Sequence, residues 1–224
     1  PGDDLLSRLV HAQDEEPIDS AFAEVVLRDE ALTLLGAGHE TTSNAVSFTL
    51  DCLARNPEAY RRLREEVQSA WGADEQPSFA QIRELRWTHA CLEEGMRLYP
   101  PAWLFGRLCE AGDVLGGYDI APGTLVMMSA AVTHRHPAFW EEPNAFRPQR
   151  FFEPDPDRHP FAYYPFSRGP RNCIGDHFAM LEMALILASI ARRFARFERK
   201  DTEPLTVIPS LTLRPGDNIP VRLG

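Results

Sequence analysis

Across residues 18–55, apolar side chains recur at three- and four-residue steps with no turn signal between them. So long a helical run commits the chain to a mainly helical fold. Asn56 and Pro57 stop it, and the same pair suits a second helix, with Asn56 as N-cap and Pro57 as the first helical residue. That helix carries Tyr60, Leu63, Val67 and Trp71 on one stripe and ends at Gly72. Ahead of the long run, residues 5–13 form a short amphipathic piece, joined to it by the acidic link Asp14-Glu15-Glu16-Pro17. Ser78-Phe79-Ala80-Gln81 is a capping box that opens a third helix. Another runs from about Trp87 to Leu98 and is halted by Tyr99-Pro100-Pro101.

The period then changes. Residues 103–109 read as extended. Tyr118-Asp119-Ile120, then Ala121-Pro122-Gly123, then residues 124–128 read as a hairpin. Residues 134–172 are rich in Pro, Arg, His and aromatics without a clean period, and a loop that long in a compact domain is usually functional. After Gly175 a strong helix runs to about Phe197, and the tail, residues 205–223, reads as short strands. There is no internal repeat. Residues 1–224 together read as one partial domain, mainly α with a minor β region.

Composition narrows the function. The net charge of −10, from 33 acids against 23 bases, repels a phosphate backbone and argues against a general nucleic-acid binder. Cys52, Cys91, Cys109 and Cys173 contain no C-x-x-C pair, so neither a structural zinc site nor a disulfide scaffold is supported. They read as free thiols in a reducing compartment. The longest apolar stretch, residues 183–191, is too short to span a bilayer. With no leader visible, these features point to a soluble, cytoplasmic protein.

Three constellations carry chemistry. In Phe166-Ser167-Arg168-Gly169-Pro170-Arg171-Asn172-Cys173-Ile174-Gly175 a cysteine sits in a Gly/Pro-rich loop just before a helix. Helix N-terminal amides favour a thiolate there. The glycines let backbone approach something flat, and Arg171 can reach a carboxylate. This set suits an iron ligand beneath a porphyrin. The alternative is a buried structural cysteine, yet the pattern F-x-x-G-x-R-x-C-x-G arises by chance in roughly one chain in ten thousand. The second is Glu94-Gly95-Met96-Arg97, spaced for an ion pair on one helical face. About two E-x-x-R matches are expected by chance in this composition, and two occur, so spacing alone decides nothing. Glu58/Arg61 reads as a solvated pair, whereas the apolar context of Glu94/Arg97 points to a buried one. The third is Ala37-Gly38-His39-Glu40-Thr41-Thr42. Gly36 and Gly38 each cost a helix about 1 kcal/mol relative to Ala, which predicts a local distortion, a packing notch or close approach of another group. An acid beside a hydroxyl can relay protons. A zinc-protease reading of His39-Glu40 fails, because the second histidine it needs falls on Ser43.

In this order, the three constellations resemble the cytochrome P-450 family of haem-thiolate monooxygenases, over essentially the whole chain. Phe146-Arg147-Pro148-Gln149-Arg150-Phe151 resembles the family's F-x-P-E-R-F, with Gln149 for the acid. His134-Arg135-His136-Pro137 resembles its H-R-D-P, with His136 for the acid. The resemblance implies the C-terminal half of the cytochrome P-450 fold: long central helix, E-x-x-R helix, haem-thiolate loop and following helix. It implies haem b (iron protoporphyrin IX), with Cys173 as the axial metal ligand. Arg107 and Arg171 would pair with the propionates, and Phe166, Gly169 and Gly175 would lie against the ring. Ala37 and Gly38 would leave room for dioxygen, and Glu40 and Thr41 would be catalytic, supplying protons. Glu94, Arg97 and Arg150 would form a buried brace. Ala102, Trp103, Leu104 and a tail segment near Leu211 would line the substrate side.

The resemblance further implies insertion of one atom of dioxygen into an apolar small-molecule substrate. With no flavin-binding or iron–sulfur motif in the sequence, electrons would come from a ferredoxin- or flavodoxin-type donor with its reductase, or from a diflavin reductase. Family members are roughly twice this length, so an N-terminal half would be missing. The competing readings are a truncated haem-binding remnant without turnover and a helical interaction protein without haem.

Overall fold

The chain breaks at Asn56-Pro57 as expected, but by different chemistry. Helix α2 (Ser20–Ala54) ends there and α3 (Pro57–Ala70) begins with Pro57 in its first turn. Asn56 stands at the N-cap position, yet its side chain does not cap α3. Its Nδ2 donates backward to the Cys52 carbonyl at 2.7 Å, satisfying one of the carbonyls that the end of α2 leaves open.

The structure, a computed structural model, describes residues 2, 4–14, 20–71 and 76–224. The acidic link at 15–17, the predicted helix start at Ile18 and the predicted helix end at Gly72 lie outside these residues. Contacts divide the chain into two units, one ending at Thr41 and one beginning at Thr42. The first holds α1 (Leu5–Asp14) and the opening part of α2.

In the second unit the end of α2 packs with α3, α5 (Arg86–Leu98) and α8 (Asp176–Arg193). Short α4 (Phe79–Arg83) lies against α8, and the single-turn helices α6 (Ala130–Thr133) and α7 (Gln149–Phe152) lie against α5. Tyr60, Leu63, Val67 and Trp71 are buried on one stripe, as their spacing predicts. Leu53, Leu92 and Leu187 fill the same core. Burial of each such side chain contributes about 1.5–3 kcal/mol, which explains why a 14-residue helix with a polar outer face holds its place.

Helix α5 is buried nearly all round. Its N-cap, Leu85, has no side-chain acceptor for the open amides of the first turn. Glu66 of α3 supplies one from outside. Its Oε1 accepts from the Trp87 amide at 2.7 Å, and its Oε2 from the Thr88 amide at 2.9 Å and the Thr88 hydroxyl at 2.8 Å. The capping box at Ser78 forms as predicted, with Ser78 and Gln81 exchanging both bonds.

The strand region differs from expectation. Residues 118–128 do not form a hairpin with each other. β3 (Tyr118–Ile120) pairs backward with β2 (Asp113–Leu115), and β4 (Leu125–Ser129) pairs with β1 (Leu104–Leu108), both antiparallel. Gly116 and Gly117 have φ of +59° and +86°, which suits the two-residue turn between twisted strands. That signal outweighs Pro122-Gly123, whose loop joins two different ladders. Helix α8 also stops earlier than predicted. It ends at Arg193, and Phe197 opens strand β5 (Phe197–Arg199), which pairs with β8 (Val221–Leu223). β6 (Val207–Pro209) and β7 (Leu213–Pro215) form the remaining ladder. Asp51, on α2, ties this tail down through Arg199 at 2.9 Å, and Arg55, which Asp51 holds at 3.0 Å, donates to the Glu203 carbonyl of the tail.

Candidate active site

Cys173 lies two residues before Gly175, the N-cap of α8. Its amide donates to the Phe166 carbonyl at 2.9 Å and closes the loop. Within the loop, Ser167 takes φ of +64° after a turn in which its amide bonds to Tyr164. Gly169 at φ +76° opens the one-turn 3-10 helix Gly169–Arg171. Asn172 Nδ2 reaches Asp176 at 3.1 Å, so the loop is pinned to α8. The Cys173 thiol is free and exposed, and its sulfur makes no hydrogen bond among the described residues. Arg107, on β1, donates to the Ser167 hydroxyl at 3.3 Å. One predicted guanidinium is therefore beside the loop, and the other, Arg171, is within it and exposed.

Glu94, Arg97 and Arg150 come together. Glu94 and Arg97 are fully shut off from solvent. Their pairing is bidentate, Nε to Oε2 at 2.7 Å and Nη2 to Oε1 at 2.9 Å. Arg97 spends its other donors on the carbonyls of His134 (2.8 Å), Pro143 (2.7 Å) and Ala145 (3.1 Å). All five of its N–H groups are thus satisfied. Glu94 Oε1 also accepts from the Arg147 amide at 2.8 Å and from Arg150 Nε at 3.3 Å. One ion pair therefore fixes the course of an aperiodic segment 37 to 56 residues further along the chain.

His134 links this brace to the loop. Its Nε2 accepts from the Tyr164 amide at 2.9 Å, which puts the ring proton on Nδ1. Burial pushes its pKa down to about 3. The ring stays neutral in the fold, while in the unfolded chain it takes a proton below about pH 6.5. This contribution to stability is complete above that pH and is lost as pH falls. We expect acidification from pH 7 to 5 to cost about 2 kcal/mol through this residue. Urea unfolding of the wild type and of His134→Asn at both pH values measures it, and equal acid losses in the two proteins would refute the assignment. His136, standing where the family pattern has an acid, accepts from the Ala138 amide through Nδ1 at 3.2 Å, a local turn bond of the kind an acid makes.

Where the resemblance implies a substrate lining, the structure joins two distant segments. Trp103 Nε1 donates to the Ser210 carbonyl at 3.0 Å, and the Leu213 amide donates to Pro101 at 2.8 Å. Ala102, Trp103 and Leu104 thus share one corner with the tip that carries Leu211, which is 92% exposed.

The remaining predicted residues, Ala37, Gly38, Glu40 and Thr41, fall in the first unit. The expected distortion is not found, since α2 runs unbroken through them. Thr41 Oγ1 donates to the Ala37 carbonyl at 2.7 Å, the ordinary back-bond of a helical threonine. A Cβ on Gly36 or Gly38 would meet no described atom within 4 Å.

A family model described as Cytochrome P450 matches residues 2–220. The chain belongs to the cytochrome P450 family. The mouse protein (Mus musculus) Cytochrome P450 4V2 is 35% identical over 221 residues, covering 98% of this chain and 42% of that protein. Human (Homo sapiens) Cytochrome P450 4X1 is 36% identical over 222 residues, covering 98% and 43%. The crystal structure of the cytochrome P450DA heme domain superposes with a TM-score of 0.82 at 32% identity, over 88% of this chain and 44% of that one. The chain thus spans less than half the length of the cytochromes P450 it matches. Among its described residues no helix is long and apolar enough to cross a membrane.

Three residues that shape this cytochrome P450 site escape sequence reasoning. Glu66 looks like one more helix-surface acid. His134 is visible only as part of a family pattern. Gly95, inside the E-x-x-R turn, reads as a helix defect. A Cβ there would collide with Thr49 Oγ1 and lie 3.2 Å from Thr49 Cα, so its lack of a side chain lets α5 and α2 touch.

Proposed function

We propose that this chain carries the thiolate-ligating part of a haem-thiolate monooxygenase that inserts one atom of dioxygen into an apolar small molecule, with electrons from a separate donor. The observation behind this reading is the Cys173 loop: an exposed thiol without a partner among the described residues, between Phe166 and Gly175, on a scaffold pinned by the brace. The surroundings fit a haem. Arg107 and Arg171 offer two cations for propionates. Ile174 and Phe178 follow the thiol at 93% and 72% exposure, a cost that an apolar ring plane removes. Phe166 packs at the core edge.

A haem held by a thiolate supplies two-electron activation of dioxygen. The chain's own residues do the rest. Cys173 offers a sulfur whose position is set by the bond from its amide to Phe166. Glu94, Arg97 and Arg150 hold the segment behind that loop. Arg107, braced on Ser167, would hold a propionate. Thr41 moves a proton only after releasing Ala37, and Glu40 beside it is the acid that resupplies the hydroxyl. Trp103 and Leu211 give the substrate corner an apolar wall, with Ala102 and Leu104 flanking it. The electron donor is a ferredoxin, a flavodoxin or a diflavin reductase.

The absorption spectrum of the reduced, haem-reconstituted protein under carbon monoxide tests the ligand assignment. A strongly red-shifted Soret band is expected, and Cys173→Ala is expected to abolish it. Retention of that band in the variant would refute the assignment. In Thr41→Ala, product formed per electron should fall about tenfold or more, with hydrogen peroxide making up the difference. Unchanged coupling counts against the relay.

A further inference from the structure

Glu93 precedes the brace residue Glu94 on α5 and has a different setting. It lines a cavity of about 230 Å³. Across the cavity lie Phe166, Arg168 and Asn172 of the Cys173 loop, and Asp176 of α8. Tyr163 closes one side, its hydroxyl donating to the Glu93 carbonyl at 2.9 Å. The Glu93 carboxylate makes no hydrogen bond or ion pair among the described residues.

The charged groups around it are all engaged elsewhere. Arg158 attracts it, but that guanidinium is bonded to the Arg150 carbonyl at 2.9 Å and stacked over Trp140. Arg168 is turned to the Tyr163 carbonyl at 3.4 Å. Asp176 is held by Asn172, and Glu94 is neutralised by Arg97 and Arg150. Burial of the Tyr163 phenol pushes its pKa well above the ordinary value, so it stays neutral. Burial likewise raises the Glu93 carboxyl, to about 7, and Arg158 only partly offsets it. An ionised carboxylate here needs water, and the room for that water lies between α5 and the loop.

We propose that Glu93 is a positioning residue for the Cys173 loop: neutral, it lets the loop seat against α5, and ionised, it draws water between them and loosens the loop. The sign follows from linkage. A carboxyl raised in the fold stabilises it below its unfolded value near 4.5, and that contribution is lost as pH rises to about 7. Nothing in this depends on what Cys173 binds, so the proposal stands or falls separately from the monooxygenase reading.

The test is amide hydrogen exchange of the haem-free protein over residues 164–175 from pH 5.5 to 8.5, expressed as protection so that the intrinsic pH dependence cancels. This stretch contains the Cys173–Phe166 and Ser167–Tyr164 bonds. Wild-type protection should fall about tenfold across the range. Glu93→Gln should hold a flat, high profile. Parallel falls in both proteins overturn the proposal, as does a variant less protected at every pH, which would make Glu93 merely structural. Should Glu93→Gln not fold, Glu93→Met must give the flat profile, and a sloping one overturns the proposal. His134 acts with the opposite sign below pH 6.5, so the difference between wild type and variant is the quantity to read.

Discussion

Glu94→Ala is expected to lower stability by about 3–5 kcal/mol, a large share of the roughly 5–15 kcal/mol that holds a native domain together. The loss is not the value of one ion pair. Removing the carboxylate strands a guanidinium with no access to solvent, and it takes away the acceptor that receives the Arg147 amide and Arg150. Arg97→Met should be at least as costly, because it also leaves three carbonyls, of His134, Pro143 and Ala145, without donors. Urea denaturation of the soluble fraction measures both. Wild-type midpoints in either variant would show that the pair is dispensable.

Gly95→Ala should cost about 1–3 kcal/mol, and Gly95→Val more, although alanine is the better helix former. Intrinsic propensity favours the change by about 1 kcal/mol, so steric conflict has to exceed that gain. The new Cβ meets Thr49 along both side chain and backbone, and α2 must shift to admit it. Thr49→Ala removes the nearest atom, the hydroxyl oxygen, but not the Cβ and Cα at 3.0 and 3.2 Å. The double variant should therefore recover part of the loss. A neutral or stabilising Gly95→Ala would show that α5 and α2 are less closely apposed.

What could be read from residues alone follows a physical line. The helices of the first half were legible because their apolar stripes repeat locally. The Cys173 loop was legible because glycine, proline, arginine and cysteine occupy fixed short spacings. Pairing across distance was not. Gly116-Gly117 and Pro122-Gly123 both signal turns, and only the ladders show which one joins paired strands. Arg97 could be matched to Glu94, three residues away, but not to carbonyls at 134, 143 and 145, since backbone acceptors carry no residue-type signature. Glu93 and Glu94 are the same residue type side by side, yet one is locked between two arginines and the other faces a cavity. Asn56 was expected to cap forward and instead bonds backward, because both ends of the break leave backbone groups to satisfy.

The corner where Trp103 meets Ser210 and Leu213 meets Pro101 has a practical consequence for protein engineering. Asn44 adds a third tie, to the Thr212 hydroxyl at 3.2 Å. A hairpin transplanted from a relative in place of residues 207–215 keeps the backbone carbonyl and amide that meet Trp103 and Pro101, but keeps the third tie only if its residue 212 retains a hydroxyl. Chimaeras should therefore exchange residue 44 together with the hairpin, and libraries that randomise Leu211 alone leave that anchorage intact.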